Sequence, residues 1–220
     1  MSKQNTAVPF YKIQDIDFSQ LKFIKNKKFN GNRFVEVFYN KKNFGIKLPR
    51  LRIPYDTRVS YGKIEANFSL KDQKNLEEAI IKFDESIPIH AKEQGWEIDN
   101  LTYFEMLRRS KNNDYPPTIK FKIVSNETGI KTSFFDSKKE PVNVKTTDEV
   151  LELLRKGTNA LTGIQCLGVW FNENMYGVAW KLCQVRICET IEEIMEECNF
   201  EDSSNDGNSI DSCTEFLIEE

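Results

Sequence analysis

One histidine, His90, is all that 220 residues contain, so any mechanism that needs two imidazoles is excluded. His90 follows Ile87-Pro88-Ile89 beside a helix candidate, where a structural role is expected of it. Cysteine is scarce and unpatterned. Cys166, Cys183, Cys188, Cys198 and Cys213 form no C-x-x-C pair, and the Cys183/Cys188 spacing on a strand suits zinc poorly. Reduced thiols in an intracellular setting are expected. No Gly-x4-Gly-Lys, no G-x-G-x-x-G and no G-x-S-x-G occurs, so the backbone signatures of phosphate loops, dinucleotide sites and serine elbows are missing. The longest apolar runs, such as CLGVWF at 166–171, fall far short of the ~18 residues of a membrane span. MSKQNTAVPF lacks the apolar core of a signal peptide. No enzyme, no cofactor and no membrane partner is expected.

The last absence is positional. Residues 189–220 hold no lysine or arginine and carry 12 carboxylates. The formal charge of −3 therefore conceals a body, residues 1–188, with 31 basic and 22 acidic residues and a net charge of +9. Residues 1–60 alone carry 13 lysines and arginines against Asp15, Asp17, Glu36 and Asp56. Opposite signs on one chain point to a polyanion-binding body at 1–188 with an acidic interaction tail at 189–220. The simpler reading is a solvated tail that maintains solubility.

Hydrophobic periodicity predicts a mostly β body with a helical insertion at about 70–109. Residues 10–61 read as strands broken by turns, with Asn30-Gly31 as a hairpin cue and Arg33–Tyr39 as a β-branched and aromatic run. Pro49 and Pro54 place 48–55 at a sheet edge or in a loop. Leu76, Ala79, Ile80 and Phe83 recur at helical spacing within 70–94, with Ser69 or Asp72 as caps and Pro88 as the end or kink. LTYFEMLRR (101–109) reads as a second short helix and SKNNDYPP (110–117) as a linker. TIKFKIV (118–124) alternates strictly, with Ile119, Phe121 and Ile123 on one face and Lys120 and Lys122 on the other. Asn126–Gly129 then turns the chain into a returning strand at 130–136. TTDEVLELLRKG (146–157) is a helix with a threonine cap, and strands at about 159–172 and 175–188 close the body.

Cations alternate with aromatics on these strands, the combination that single-stranded nucleic acid requires, because ammonium and guanidinium groups track phosphates while ring faces stack bases. The candidate binding residues are Lys120, Lys122, Lys131, Phe135, Trp170, Lys181, Arg186, Arg50, Arg52 and Tyr55. Phe121, Phe134 and Leu182 are assigned to the core. Trp180 shares a face with Val178 and Leu182 and reads as buried, although a groove position stays open. Trp170 alternates with Cys166 and Gly168 and sits at a hairpin end, where exposure is expected. Asp136-Ser137-Lys138 faintly matches the end of a metal-dependent nuclease site, but FDSKKEP reads as a turn.

Three ordered segments carry a family resemblance: PTIKFKIV, then KTSFFDSKKEPV, then LTGIQCLGVWFNENMYGVAWKLCQVRI, closed by the acidic tail. Together they resemble the OB-fold single-stranded DNA-binding proteins of tailed phages and their relatives in nucleocytoplasmic large DNA viruses. The resemblance covers about 117–188, with Lys120, Lys122, Phe135-Asp136-Ser137-Lys138, Trp170-Phe171-Asn172 and Gly177–Leu182 as its most telling residues. It implies a five-stranded Greek-key barrel, with Trp170 as a base-stacking aromatic and Lys120 and Lys122 as phosphate contacts. It further implies single-stranded DNA and replication proteins as partners, with a homodimer as an open alternative to a monomer. Replication, recombination or repair at a viral replication site in the host cytoplasm or nucleus is the implied setting, with the virion as a further location. In the family, a terminal aromatic of the tail occupies the protein's own DNA groove and recruits replication enzymes. Here the last aromatic, Phe216, is followed by Leu-Ile-Glu-Glu, and Ile191, Ile194, Met195 and Cys198 are spaced as in an amphipathic helix. The competing class is a non-catalytic viral structural or adaptor β-barrel whose tail docks a partner.

Overall fold

The computed structural model describes residues 8–25, 33–112, 114–127 and 129–188. The acidic tail, its expected helix at 189–198, Phe216 and the Asn30-Gly31 cue lie outside the described residues. Five strands carry the body: Gly45–Arg52, Lys63–Ser69, Thr118–Lys122, Asn159–Phe171 and Met175–Cys188, here the first to fifth barrel strands. Each buries one face, with Ile46 and Leu48, Ile64 and Phe68, Ile119 and Phe121, Ala160 and Ile164, or Leu182 and Val185 inward, the last two separated by a register shift at Cys183. Period-two alternation of this kind requires a core on one side only.

The pairing closes a ring. The first strand pairs with the fourth, the fourth with the fifth, and the second with the third. Arg52 opposite Ser69 joins the first strand to the second, and a parallel bridge between Ile123 and Leu182 joins the third to the fifth. The order first, second, third, fifth, fourth is the Greek-key order of an OB barrel. The fold is mostly β with a helical insertion, as the sequence predicts.

Two helices interrupt the ring. The long one, Lys74–Glu93, lies between the second and third strands and buries Leu76, Ala79, Ile80, Phe83, Ile87 and Ala91. Pro88 neither ends nor kinks it into a stop, because the buried face continues to Ala91 and holds the last turn in place. Its N-cap is Gln73, whose side chain makes no capping bond, rather than Ser69 or Asp72. His90 is structural, its Nε2 lying 3.0 Å from the Phe18 carbonyl. The short helix, Thr147–Leu153, starts at a capping box in which Glu149 N–H donates to Thr146 Oγ1 and Thr146 N–H donates to Glu149 Oε2.

Three expectations are corrected. Residues 101–109 are not helical: Thr102–Phe104 pairs in parallel with Met175–Gly177, and Leu107–Arg108 pairs antiparallel with Ile119 and Thr118. The buried Asp84 carboxylate takes the Tyr103 hydroxyl and the Met106 and Leu107 N–H groups, the last two being backbone donors that a local helix would have used. Only the end of the 48–55 segment is the expected loop, at 53–55 with Pro54, since Leu48–Arg52 belongs to the first barrel strand, with Pro49 at its register shift. The 118–136 hairpin survives only at Ser125–Asn126 and Gly129–Ile130. Ser133–Phe135 pairs instead in parallel with Gln184–Arg186.

Burial raises the Asp84 pKa to about 6 against those three donor groups. A carboxyl raised in the folded state favours folding most at low pH, and that contribution is lost as pH rises from about 4 through about 6. Melting temperature should therefore fall across that window, and Asp84→Asn should flatten the fall. Asp84→Ala, which strands the Met106 and Leu107 N–H groups, should lower stability by about 2–4 kcal/mol.

Candidate nucleic-acid interface

Strand alternation turns Lys63 and Glu65 of the second strand outward, beside Lys120 and Lys122 of the third, while Asn67 on the same side is buried. Glu65 stands opposite Lys122, and Asn67 opposite Lys120. The Lys120 ammonium reaches diagonally to Glu65 Oε2 at 2.5 Å, with both side chains mostly shielded from solvent. Burial alone would raise the Glu65 pKa. The Lys120 hydrogen bond and the charges of Lys120, Lys122 and Arg108 outweigh it and hold the carboxyl below its ordinary value. Lys122 is shifted down, first by burial and then by Lys63, with Lys120 and Arg108 adding to the repulsion and Glu65 opposing it. Arg108, Lys120 and Lys122 thus act on one carboxylate, and Lys63 adds its charge beside Lys122.

Arg108 arrives on the 102–108 segment, which fills the seam between the third and fifth strands above the Ile123–Leu182 bridge. Its guanidinium lies over the Phe104 ring, 4.9 Å from the centroid. Phe104, 41% exposed, sits opposite Gly177, which sits opposite Trp170, which sits opposite Phe34. The row crosses four strands, and Gly177 is its notch. A β-carbon there would lie 3.1 Å from both Phe104 Cβ and Trp170 Cζ2, so only glycine lets the two rings approach, at 6.1 Å between centroids. Below the row, a shallow pocket is lined by Phe104, Glu105, Arg108, Lys120, Val178 and Trp180.

A second aromatic element borders the same face. Arg58–Ser60 and Lys63–Glu65 form a hairpin, and both of its turn residues, Tyr61 and Gly62, have positive φ (48° and 71°). That is the backbone of a two-residue hairpin turn with both central residues left-handed. Tyr61 is fully exposed at its tip. An aromatic held in the left-handed region is uncommon.

The sequence-predicted residues divide. Lys120 and Lys122 meet on the face described, and Trp170 joins it through Phe104. Trp170 lies on the outer side, half-buried rather than exposed, by a route the sequence hid: a bulge at Leu167, between Cys166 and Gly168, breaks the alternation. Trp170 therefore faces away from Cys166 rather than with it. Gly168, at φ +143°, permits the bulge, since a β-carbon would lie 2.4 Å from the Val35 carbonyl. Arg186 stands elsewhere on the fifth strand, between Leu161 of the fourth strand and Phe135 of Ser133–Phe135, with its Nε buried and without a hydrogen-bond partner. Arg52 lies between Asn159 and Ser69, and Arg50 is on the same strand. Lys181 is opposite Gln165, and exposed Lys131 donates its N–H to the Val124 carbonyl. Tyr55 is exposed in the loop after the first strand, which is pinned where Thr57 Oγ1 donates to the Leu154 carbonyl. Trp180 is half-buried, packing against the core with its ring 5.4 Å from Phe83 and 6.5 Å from Phe44 while also lining the shallow pocket, and Phe121, Phe134 and Leu182 are buried. Asp136–Glu140 is a turn, closed by Glu140 N–H donating to Asp136 Oδ1.

Sequence reasoning missed Tyr61, Lys63, Glu65, Phe104 and Arg108. Tyr61-Gly62 between two alternating runs carried a turn signal. Phe104 and Arg108 carried none, because their segment reads as helix.

No protein-family model matches the chain, and no curated protein matches it. Among solved structures it is similar to the single-stranded DNA-binding protein from bacteriophage Enc34, at 13% identity and a TM-score of 0.46, covering 77% of this chain and 90% of that one. The same phage protein in complex with ssDNA gives 11% identity, a TM-score of 0.45, and coverage of 77% and 96%. The gp2.5 single-stranded DNA binding protein encoded by bacteriophage T7 gives 14%, a TM-score of 0.46, and coverage of 76% and 100%. These neighbours are phage single-stranded DNA-binding proteins.

The notch at Gly177 has a direct test. Gly177→Ala should force Trp170 and Phe104 apart and lower stability by about 1–3 kcal/mol, read as a drop in melting temperature. The Trp170–Phe104 pair would have to lie elsewhere if that variant melts like the wild type.

Proposed function

We propose that this chain is a non-catalytic single-stranded DNA-binding protein. The observation that carries the reading is the cluster of Lys63, Arg108, Lys120 and Lys122 on the outer face of the second and third strands, bordered by the ring faces of Phe104, Trp170 and Tyr61. In barrels of this topology that face, with the loop between the first two strands, takes oligonucleotides. Cations alone would serve any polyanion. Aromatic planes add a preference for unpaired bases, each stacked base contributing ~1–3 kcal/mol. The reading extends to viral DNA replication, recombination or repair, with residues 189–220 as the segment that docks replication proteins. The competing reading, a structural or adaptor barrel, has no use for stacked cations and aromatics on an open face.

Binding to a homothymidine strand should exceed binding to duplex of equal length, and magnesium should produce no cleavage. The logarithm of affinity should fall linearly with that of salt concentration. Lys120→Ala with Lys122→Ala should flatten the slope by at least about 0.7, the increment of one phosphate contact on a single strand. A wild-type slope in that double variant would move the groove off this face. Trp170→Ala should weaken binding by ~1–3 kcal/mol per folded molecule, measured on the same samples as the melting temperature. Unchanged affinity in the folded fraction would remove Trp170 from the interface.

A further inference from the structure

A carboxylate occupies the middle of the cation cluster, where a polyanion would be met. Glu65 is turned outward by the alternation of Ile64 and Ala66 into the core, so nothing in the barrel's packing requires an acid at this position. Its partner is specific. Of the surrounding cations, Lys120 makes the direct contact, at 2.5 Å, while Lys122, opposite in the ladder, and Arg108 act on the carboxylate through space. The pair is also sheltered, the side chains of Lys120 and Glu65 being 23% and 13% exposed. A shielded lysine left without an anion would be unfavourable, so the pair yields only to another anion that reaches the same ammonium.

We propose, resting on the single-strand-binding reading above, that Glu65 is a built-in competitor for the phosphate that Lys120 would bind. A strand then engages in two stages. Phosphates first meet Lys63, Lys122 and Arg108, and Lys120 joins only when a neighbouring phosphate displaces the Glu65 carboxylate. Displacement exchanges one anion for another on the same lysine, so Lys120 adds little net affinity while Glu65 is present. Lone anions and short strands, which lack a second phosphate held nearby, leave the pair intact. On release the carboxylate closes over Lys120 again, which speeds dissociation and suits a protein that must yield its strand to other enzymes.

The test uses the full chain and a homothymidine strand across a salt series. Glu65→Gln should tighten binding about tenfold at low salt and steepen the slope by about 0.7, the increment of one further phosphate on a single strand. Glu140→Gln makes the same charge change at an exposed turn and should alter affinity less than about twofold. Glu65→Gln combined with Lys120→Ala should lose the gain and return the slope to the wild-type value. Glu65→Asp, which withdraws the carboxylate from Lys120 while keeping its charge, should give an intermediate tightening and covers the case in which the glutamine variant melts early. The competitor is overturned if Glu65→Gln binds no tighter than Glu140→Gln, if the slope does not change, or if the double variant keeps the gain. A wild-type chain that binds no single strand at any salt overturns the functional reading itself, a result distinguishable from the other three.

Discussion

A five-strand barrel of this order closes only where its third and fifth strands meet, and here they meet at a single parallel bridge, Ile123 with Leu182. One hydroxyl strengthens the junction: Thr132 Oγ1 accepts from Val124 N–H and donates to the Leu182 carbonyl. Beyond it the two strands diverge, and the gap between them is filled by 102–108, which pairs with the fifth strand at one end and the third at the other. The candidate interface is built on that filler. Phe104 extends the aromatic row from the fifth strand, and Arg108 extends the cation cluster from the third. Asp84 fixes the bend between them from the long helix beneath, so the helical insertion serves the surface it never reaches.

Electrostatics on this face oppose one another by arrangement. Burial and repulsion from neighbouring cations depress the Lys122 pKa, while Glu65 opposes that shift, and burial tends to neutralise the Glu65 carboxylate as well. Such a cluster is stable as folded but holds excess positive charge in a partly desolvated setting. An incoming chain of phosphates relieves repulsion as well as adding contacts, and both effects weaken as salt screens them.

Much of the barrel was legible in the sequence because its strands are long and alternate cleanly. Strands at 118–122, 159–171 and 175–188 and the capped helix at 147–153 follow from period and caps alone. Pro88 misled because propensity was set against a buried face that continued past it. The 101–109 segment misled for a deeper reason: Asp84, far back in the chain, supplies the acceptors that make the segment extended. The site was legible only in its strand-borne part. Lys120 and Lys122 declared themselves by alternation, whereas the approach of Arg108, Glu65 and Phe104 depends on register and on a seam that no local window contains. Arg50, Arg52 and Arg186 share composition with the cluster but not its location.

The extra residue at Leu167 works as a parity switch. Two-sided strands assign every side chain by odd or even position, and one inserted residue inverts the assignment for everything beyond it. Upstream of the switch, Ile164 and Cys166 point into the barrel. Downstream, Val169 and Phe171 do so, and Trp170 is sent to the surface. Pairing Leu167 in a regular ladder instead would leave composition, strand length and turn intact while exchanging the indole for the Phe171 ring on the outer face. The chain thus encodes which aromatic meets the outside world by counting, and Gly168, whose backbone no other residue could adopt without striking Val35, is where the count is kept.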